Sequence, residues 1–276
     1  MRIKIKIQPI KLVIVLVAFF AVVIFPINSY ADNWWGGYHW ARQSNPFTLT
    51  VVDSNTTDWD DNLNMALSDW AGGSSVLDTF NKEQGDESRT ARKRCEMISG
   101  KIHSCNALYG ITGWLGLASI NISGSHITQG ISKVNDSYFK SAGYSETNKQ
   151  HVMCQEIGHD LGLGHQDESG ADLDTCMDYA NALDNPSPNA HDFYMLDSVM
   201  YAHLDSTTTI GFNALSNPFA DVTDDPNSWG RLTSQSANGR GSTYEREHFD
   251  GSTTATHVFW IREVAERCPG CDHRYQ

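Results

Sequence analysis

The residues of this 276-residue chain that could act together chemically lie in one run, Gln155-Glu156-Ile157-Gly158-His159-Asp160-Leu161-Gly162-Leu163-Gly164-His165. On a helix, positions 155 and 159 fall one turn apart on the same face, and Glu156 points into the same cleft. Gly162 can take the backbone geometry that ends a helix, so the chain turns there and brings His165 back towards His159. Two imidazoles and a third side chain would then surround one ion and leave a water position open. Zinc held in this way lowers the pKa of its water to about 7, and a glutamate beside it can take the proton. That is machinery for hydrolysing a peptide bond.

The run resembles the metzincin metalloprotease signature, H-E-x-x-H-x-x-G-x-x-H followed by a Met-turn. Cys176-Met177-Asp178-Tyr179 follows His165 at a distance that suits such a turn. The resemblance covers about Phe47–Asp205. It implies an α+β, zincin-like catalytic domain with a twisted mixed sheet, an active-site helix, a Met-turn and a C-terminal helix. By the same resemblance Glu156 is the general base, His159 and His165 are zinc ligands, and Met177 forms the floor beneath the metal. Tyr179 takes the place of the tyrosine that astacin-like and serralysin-like members carry near the zinc, where it would donate to an oxyanion. The implied substrate is a polypeptide in extended conformation, bound as an added β-strand. Gln155 and Met177 would stack as those positions do in metzincins, so a disulfide between Cys154 and Cys176 is implied, with free thiol or metal ligand as the other options.

The chain departs from the signature at one place: Gln155 stands where the family has histidine. An amide oxygen is a neutral and weaker donor for zinc than imidazole. In one reading Gln155 still ligates. In a second, His151 or the Cys154 thiolate supplies the third ligand. In a third, the fold persists while catalysis is lost, leaving a peptide- or partner-binding pseudoprotease. The first keeps the machinery whole, with Gln155 as third ligand in a secreted zinc-dependent metalloendopeptidase.

Elements must hold these residues in place. Phe47, Leu49 and Val51 alternate as in a half-buried strand. Thr57-Asp58-Trp59-Asp60 resembles a capping box, and Trp59, Leu63, Ala66, Leu67 and Trp70 then follow helical spacing up to Gly72-Gly73. Residues 81–105 are polar and basic and read as a solvated loop. Two strands follow, over 111–122 and over Ile127–Val134; mixed polarity places the second at a sheet edge. A helix is expected from about Gln150 to Leu161 and another over Asn189–Leu204. After Asp205, short alternating runs, the last being Thr254–Ile261, predict a small β-meander.

Composition bounds the reading. Aromatics are 11% and charged residues 19%, too apolar for a disordered chain, and the net charge of −13 repels nucleic-acid backbones. Residues 1–31 carry Arg2, Lys4, Lys6 and Lys11, the apolar run Leu12–Phe25, and the small-x-small Ser29-Tyr30-Ala31, the pattern of a cleaved signal peptide. No stable membrane span is expected after its removal. The six cysteines suit an extracellular destination, and proximity pairs Cys95 with Cys105 and Cys268 with Cys271. The acidic stretch Asp167, Glu168, Asp172 and Asp174 could meet Ca²⁺ but lacks the spacing of a defined calcium loop. The expected organisation is a signal peptide over 1–31, a catalytic domain over 32–205 and a β-rich extension over 206–276.

Overall fold

The alternation of Phe47, Leu49 and Val51 becomes β2 (Phe47–Ser54), and the helical spacing after it becomes α1 (Asp60–Gly73), whose Trp59, Leu63, Ala66, Leu67 and Trp70 are all buried. The expected side-chain cap is not formed; the residue preceding α1, Trp59, makes no capping bond and instead donates its indole N–H to Asp136 Oδ1 at 2.8 Å. These elements belong to a computed structural model that describes residues 34–141, 143–208 and 225–275. The expected signal peptide lies outside the described residues.

The segment 81–105 is not a solvated loop. It holds the end of β3 (Leu77–Gln84), α2 (Arg89–Arg94) and most of β4 (Lys101–Ala107). β3 is polar because it forms an outer edge of the sheet. β4 is polar for a different reason: its Ser104 and Asn106 are buried but hydrogen-bonded, to Asn55 and Asp136 among others. Polar residues at interior positions erase the hydrophobic alternation by which strands are recognised.

β5 (Trp114–Ser123) and β6 (His126–Asn135) form an antiparallel pair. β6 was expected at an edge, yet β4 runs parallel to its second half and β1 (His39–Trp40) pairs with its start. Its Thr128, Gln129, Ser132 and Lys133 are buried by these neighbours. After α3 (Asp136–Phe139) comes α4 (Glu146–Asp160), which packs on α1 and on the face of β5 and β6. The helix expected over Asn189–Leu204 is shorter and changes pitch: α5 (Ala190–Tyr194), capped by Asn189, runs into a π-turn over Met195–Met200.

The C-terminal strands form as expected, as β7 (Arg231–Gln235), β8 (Gly241–Glu247) and β9 (Thr253–Trp260). They do not stand apart as an extension. β9 pairs antiparallel with β5 from Thr253–Ile122 to Trp260–Trp114, giving one mixed sheet in the order β3-β2-β4-β6-β5-β9-β8-β7. β5 is buried along all but its last residue, so its second edge needs a partner, and β9 supplies it. α6 (Arg262–Arg267) and the Cys268–Cys271 disulfide close the chain. The fold is therefore α+β, with α1 and α4 on one face of a mixed sheet.

Candidate metal centre

α4 begins with a reciprocal cap. Ser145 Oγ accepts from Asn148 N–H at 3.2 Å, and Asn148 Oδ1 accepts from Ser145 N–H at 2.9 Å. Every residue from Gln150 to Asp160 is buried, so the helix carries its polar side chains into the core. It stops where expected. Gly162 has φ +96°, and a Cβ there would lie 2.1 Å from the Tyr38 carbonyl oxygen. Only glycine tolerates both. The turn returns His165, whose Nε2 lies 3.0 Å from His159 Nε2.

The proton arrangement at His159 can be assigned. Its Nδ1 lies 2.8 Å from the Leu163 carbonyl, which can only accept, so Nδ1 carries the hydrogen and Nε2 presents a lone pair towards His165. Two ligand nitrogens at a tetrahedral zinc are about 3.3 Å apart, given Zn–N bonds of about 2.0–2.1 Å. The observed pair is close to that spacing.

The third imidazole comes from the far end of the chain. His257 lies on β9 opposite Ala118 of β5, its ring centroid 4.0 Å from that of His159 and 4.9 Å from that of His165. One ring nitrogen from each of His159, His165 and His257 lies within 4.8 Å of the others. Burial pushes His159 down to about 4, and it pushes His165 and His257 well below the usual imidazole range, with their mutual repulsion adding to it. Neutral imidazole is the form that binds a metal.

At the expected third ligand, Gln155, the amide nitrogen is engaged while Oε1 is buried with no hydrogen-bond partner among the described residues. Gln155 Nε2 donates to the carbonyls of Cys176 at 3.1 Å and Asp178 at 3.3 Å, bracing α4 against the turn that holds Met177. Cys154 and Cys176 are joined in a disulfide, so the Cys154 thiolate is not available as a donor. His151, the other alternative ligand, is fully buried with its ring stacked against Phe259. Met177 lies under the helix, where a Cβ on Gly158 would come within 2.6 Å of its sulfur.

Glu156 is fully buried, and neither carboxylate oxygen has a hydrogen-bond partner among the described residues. It fits only because residue 116 of β5 is glycine: a Cβ there would lie 2.1 Å from Glu156 Oε1. Burial, reinforced by Asp160, holds its pKa well above the ordinary carboxylate range. A buried carboxyl without partners costs several kcal/mol unless a proton, a cation or bound water compensates it. Tyr179 stacks on His165 with ring centroids 3.5 Å apart, and its hydroxyl lies 3.2 Å from His257 Nε2. Burial keeps this phenol protonated and therefore able to donate.

Trp35 stacks on the other side of His159 at 5.2 Å. A cleft of about 310 Å³ reaches His165 and Tyr179 between Trp34 and Trp35 on one wall and Thr233 and Thr243 on the other. Glu168 and Asp167 also line it, and Asp167 caps the turn at Ser169. Asp172 accepts from Asp174 N–H and from Asn185, so these acidic side chains serve local turns.

His257 carried no signal in the sequence. It stands 78 positions after Tyr179 in an unremarkable alternating run, and only strand pairing brings it to the helix. Cys95–Cys105 is also formed, so the nearby His103 faces a disulfide; its two ring nitrogens meet Glu96 O and Ser54 Oγ. Comparison with models of known protein families and with curated proteins finds no match to this chain.

Proposed function

We propose that the chain is a secreted zinc-dependent endopeptidase of metzincin type in which His257 replaces the imidazole missing at position 155. The observation that carries this is the convergence of His159, His165 and His257 beside a buried, unpartnered Glu156. The donor set suits zinc, since three neutral imidazoles whose ring nitrogens lie within 4.8 Å of one another would leave a fourth position free. Zinc bound there would polarise a substrate carbonyl and make water a nucleophile near neutral pH.

The protein's own groups account for the remaining steps. Glu156, with its pKa raised by burial, can accept the proton of the attacking water and return it to the leaving amine. Tyr179 can donate its hydroxyl hydrogen to the oxygen that gains charge on the carbonyl. Trp35 and the sheet around Gly116 keep bulk water from both groups. Substrate would enter through the cleft beside His165. There β7, which ends the sheet, offers an unpaired strand edge for an extended peptide. Three disulfides favour export, and no helix among the described residues is long and apolar enough to cross a membrane.

A second reading has its own observation. His159, His257 and Glu156 are completely buried behind β9, which suits a metal-held scaffold that binds peptides without cleaving them. Metal analysis with a casein assay separates the two. The enzyme should hold zinc at this centre and lose cleavage by about 10²–10⁴-fold in Glu156→Gln while keeping the metal. Zinc without cleavage in the unaltered protein establishes the scaffold; protein whose His159, His165 and His257 bind no zinc refutes both.

A further inference from the structure

In a cluster that shares no residue with the site above, three imidazoles approach one carboxylate oxygen. Asp205 Oδ1 lies 3.4 Å from His39 Nε2, 3.1 Å from His126 Nε2 and 3.5 Å from His203 Nε2. We propose that His39, His126, His203 and Asp205 form a second, structural zinc site that clasps the N-terminal segment to the sheet and to the chain beyond the π-turn. This is independent of the proposed catalytic centre, with which it shares no residue.

Spacing is the first argument. Ligand atoms at 2.0–2.2 Å from a tetrahedral zinc lie about 3.3–3.6 Å from one another. The three nitrogen–oxygen separations overlap that range, and the ligand atoms of His39, His126 and Asp205 all lie within 4.8 Å of one another. Ring orientation is the second. The His39 plane is nearly perpendicular to those of His126 and His203, at 90° and 80°, with centroids 5.1 and 5.0 Å apart. Edge-on rings can aim their Nε2 atoms at one point, which parallel stacked rings do not.

Hydrogen bonding supplies the third argument. His39 Nδ1 lies 3.1 Å from the Gly37 carbonyl, so it carries the ring hydrogen and, in the neutral form, leaves a lone pair on Nε2 facing the carboxylate. Two lone pairs at 3.4 Å repel. A hydrogen on Nε2 or a cation between the two would relieve this. One divalent cation satisfies all four groups at once.

Asp205 is prepared for the role. Its other oxygen, Oδ2, accepts from Arg42 N–H at 3.0 Å, and its own N–H donates to the Arg42 carbonyl at 2.8 Å, so Oδ1 is fixed towards the rings. The Arg42 guanidinium holds the same turn by donating to His203 O at 2.8 Å and to Tyr201 O. Second contacts of this kind set the orientation of metal ligands. His203 is the most open of the three rings, its side chain 59% exposed, and provides the way in. His39, His126 and Asp205 bring one ligand atom each within 4.8 Å of one another, and with the exposed His203 as fourth donor they would make a closed set, the form of a structural zinc site. The clasp would fix the segment whose Trp35 lies over His159.

The test uses the full chain, stripped with a chelator and titrated with Co²⁺ and, separately, Zn²⁺. Two equivalents are expected, each giving the visible absorption of tetrahedral Co²⁺. The double variant H126A/H203A should lose one equivalent and keep the other; H159A/H257A should show the reverse loss. Because His203 is exposed, H203A alone should fold normally, lower the affinity of one equivalent, and lower the melting temperature of the zinc form but not of the stripped form. One equivalent that H126A/H203A removes and H159A/H257A retains would uphold the clasp and take the metal from the catalytic centre. Undiminished binding in H126A/H203A, with its fold verified by circular dichroism, overturns the proposal.

Discussion

The molecule gathers histidines in two places, and they differ in what stands beside them. At His39, His126 and His203 the carboxylate of Asp205 is itself the centre of the group, and its second oxygen is bound to backbone. At His159, His165 and His257 the nearby acid, Glu156, is separate from the imidazoles and has no hydrogen-bond partner among the described residues, and a cleft reaches His165. A closed donor set holds structure together, whereas an open set with an unspent acid can do chemistry. The same residue types thus suit opposite purposes, and the difference lies in where the carboxylate is committed.

The largest effect expected from breaking this contrast is at His257. His257→Ala should lose hydrolysis by about 10³-fold or more, together with the zinc of the catalytic centre, while the clasp keeps its ion. Adding Gln155→His to that variant tests whether position 155 still faces the ion: recovered zinc binding would show that the strand histidine and the helix histidine are interchangeable. Cleavage unchanged in His257→Ala would dissolve the distinction between the two clusters.

Next in size is the staple behind the first cluster. Replacing Cys154 and Cys176 by Ser should cost about 2–5 kcal/mol in denaturant unfolding and lower the metal affinity of the first centre alone. Equal weakening of both centres would show that the staple acts on the whole fold.

Acid should act in the same direction. Burial holds His159 and His151 neutral down to about pH 4, against about 6.5 in an unfolded chain. As pH falls from 6.5 towards 4 the unfolded state therefore takes up protons first, and the stripped protein should lose stability across that window. Urea melts at several pH values check this; a flat profile between pH 6.5 and 4 would contradict the burial of these rings. The smallest expected change is Gly116→Ala, whose methyl would press on Glu156 and Val152. It should cost about 1–3 kcal/mol and leave the clasp untouched, read from melts and Co²⁺ binding.

Much of the first cluster was legible because α4 and its terminating turn are local. A four-residue spacing puts Gln155 near His159, Gly162 must turn, and His165 must come back; no distant contact is needed to derive any of these. The helix α1 was legible for the same reason, its apolar stripe being a property of one element. β4 was not, because its buried Ser104 and Asn106 are polar and are satisfied by partners about fifty positions away. β6 read as an edge because its polar residues are buried by strands whose pairing a single-strand pattern does not contain.

By itself the sequence determined the helix, the turn, the acid at position 156, two imidazoles and the departure at Gln155. Tertiary structure decided what surrounds that departure. Strand β9 hydrogen-bonds the open edge of β5 and so carries His257 to the rings of His159 and His165, while Gln155 turns its amide nitrogen to the carbonyls of Cys176 and Asp178. It likewise decided the second cluster, whose members come from the N-terminal segment, the start of β6 and the chain after the π-turn. The physical reason is range: helical periodicity and turn geometry act over a few residues, but a metal centre is completed by whichever strand the sheet places across from it.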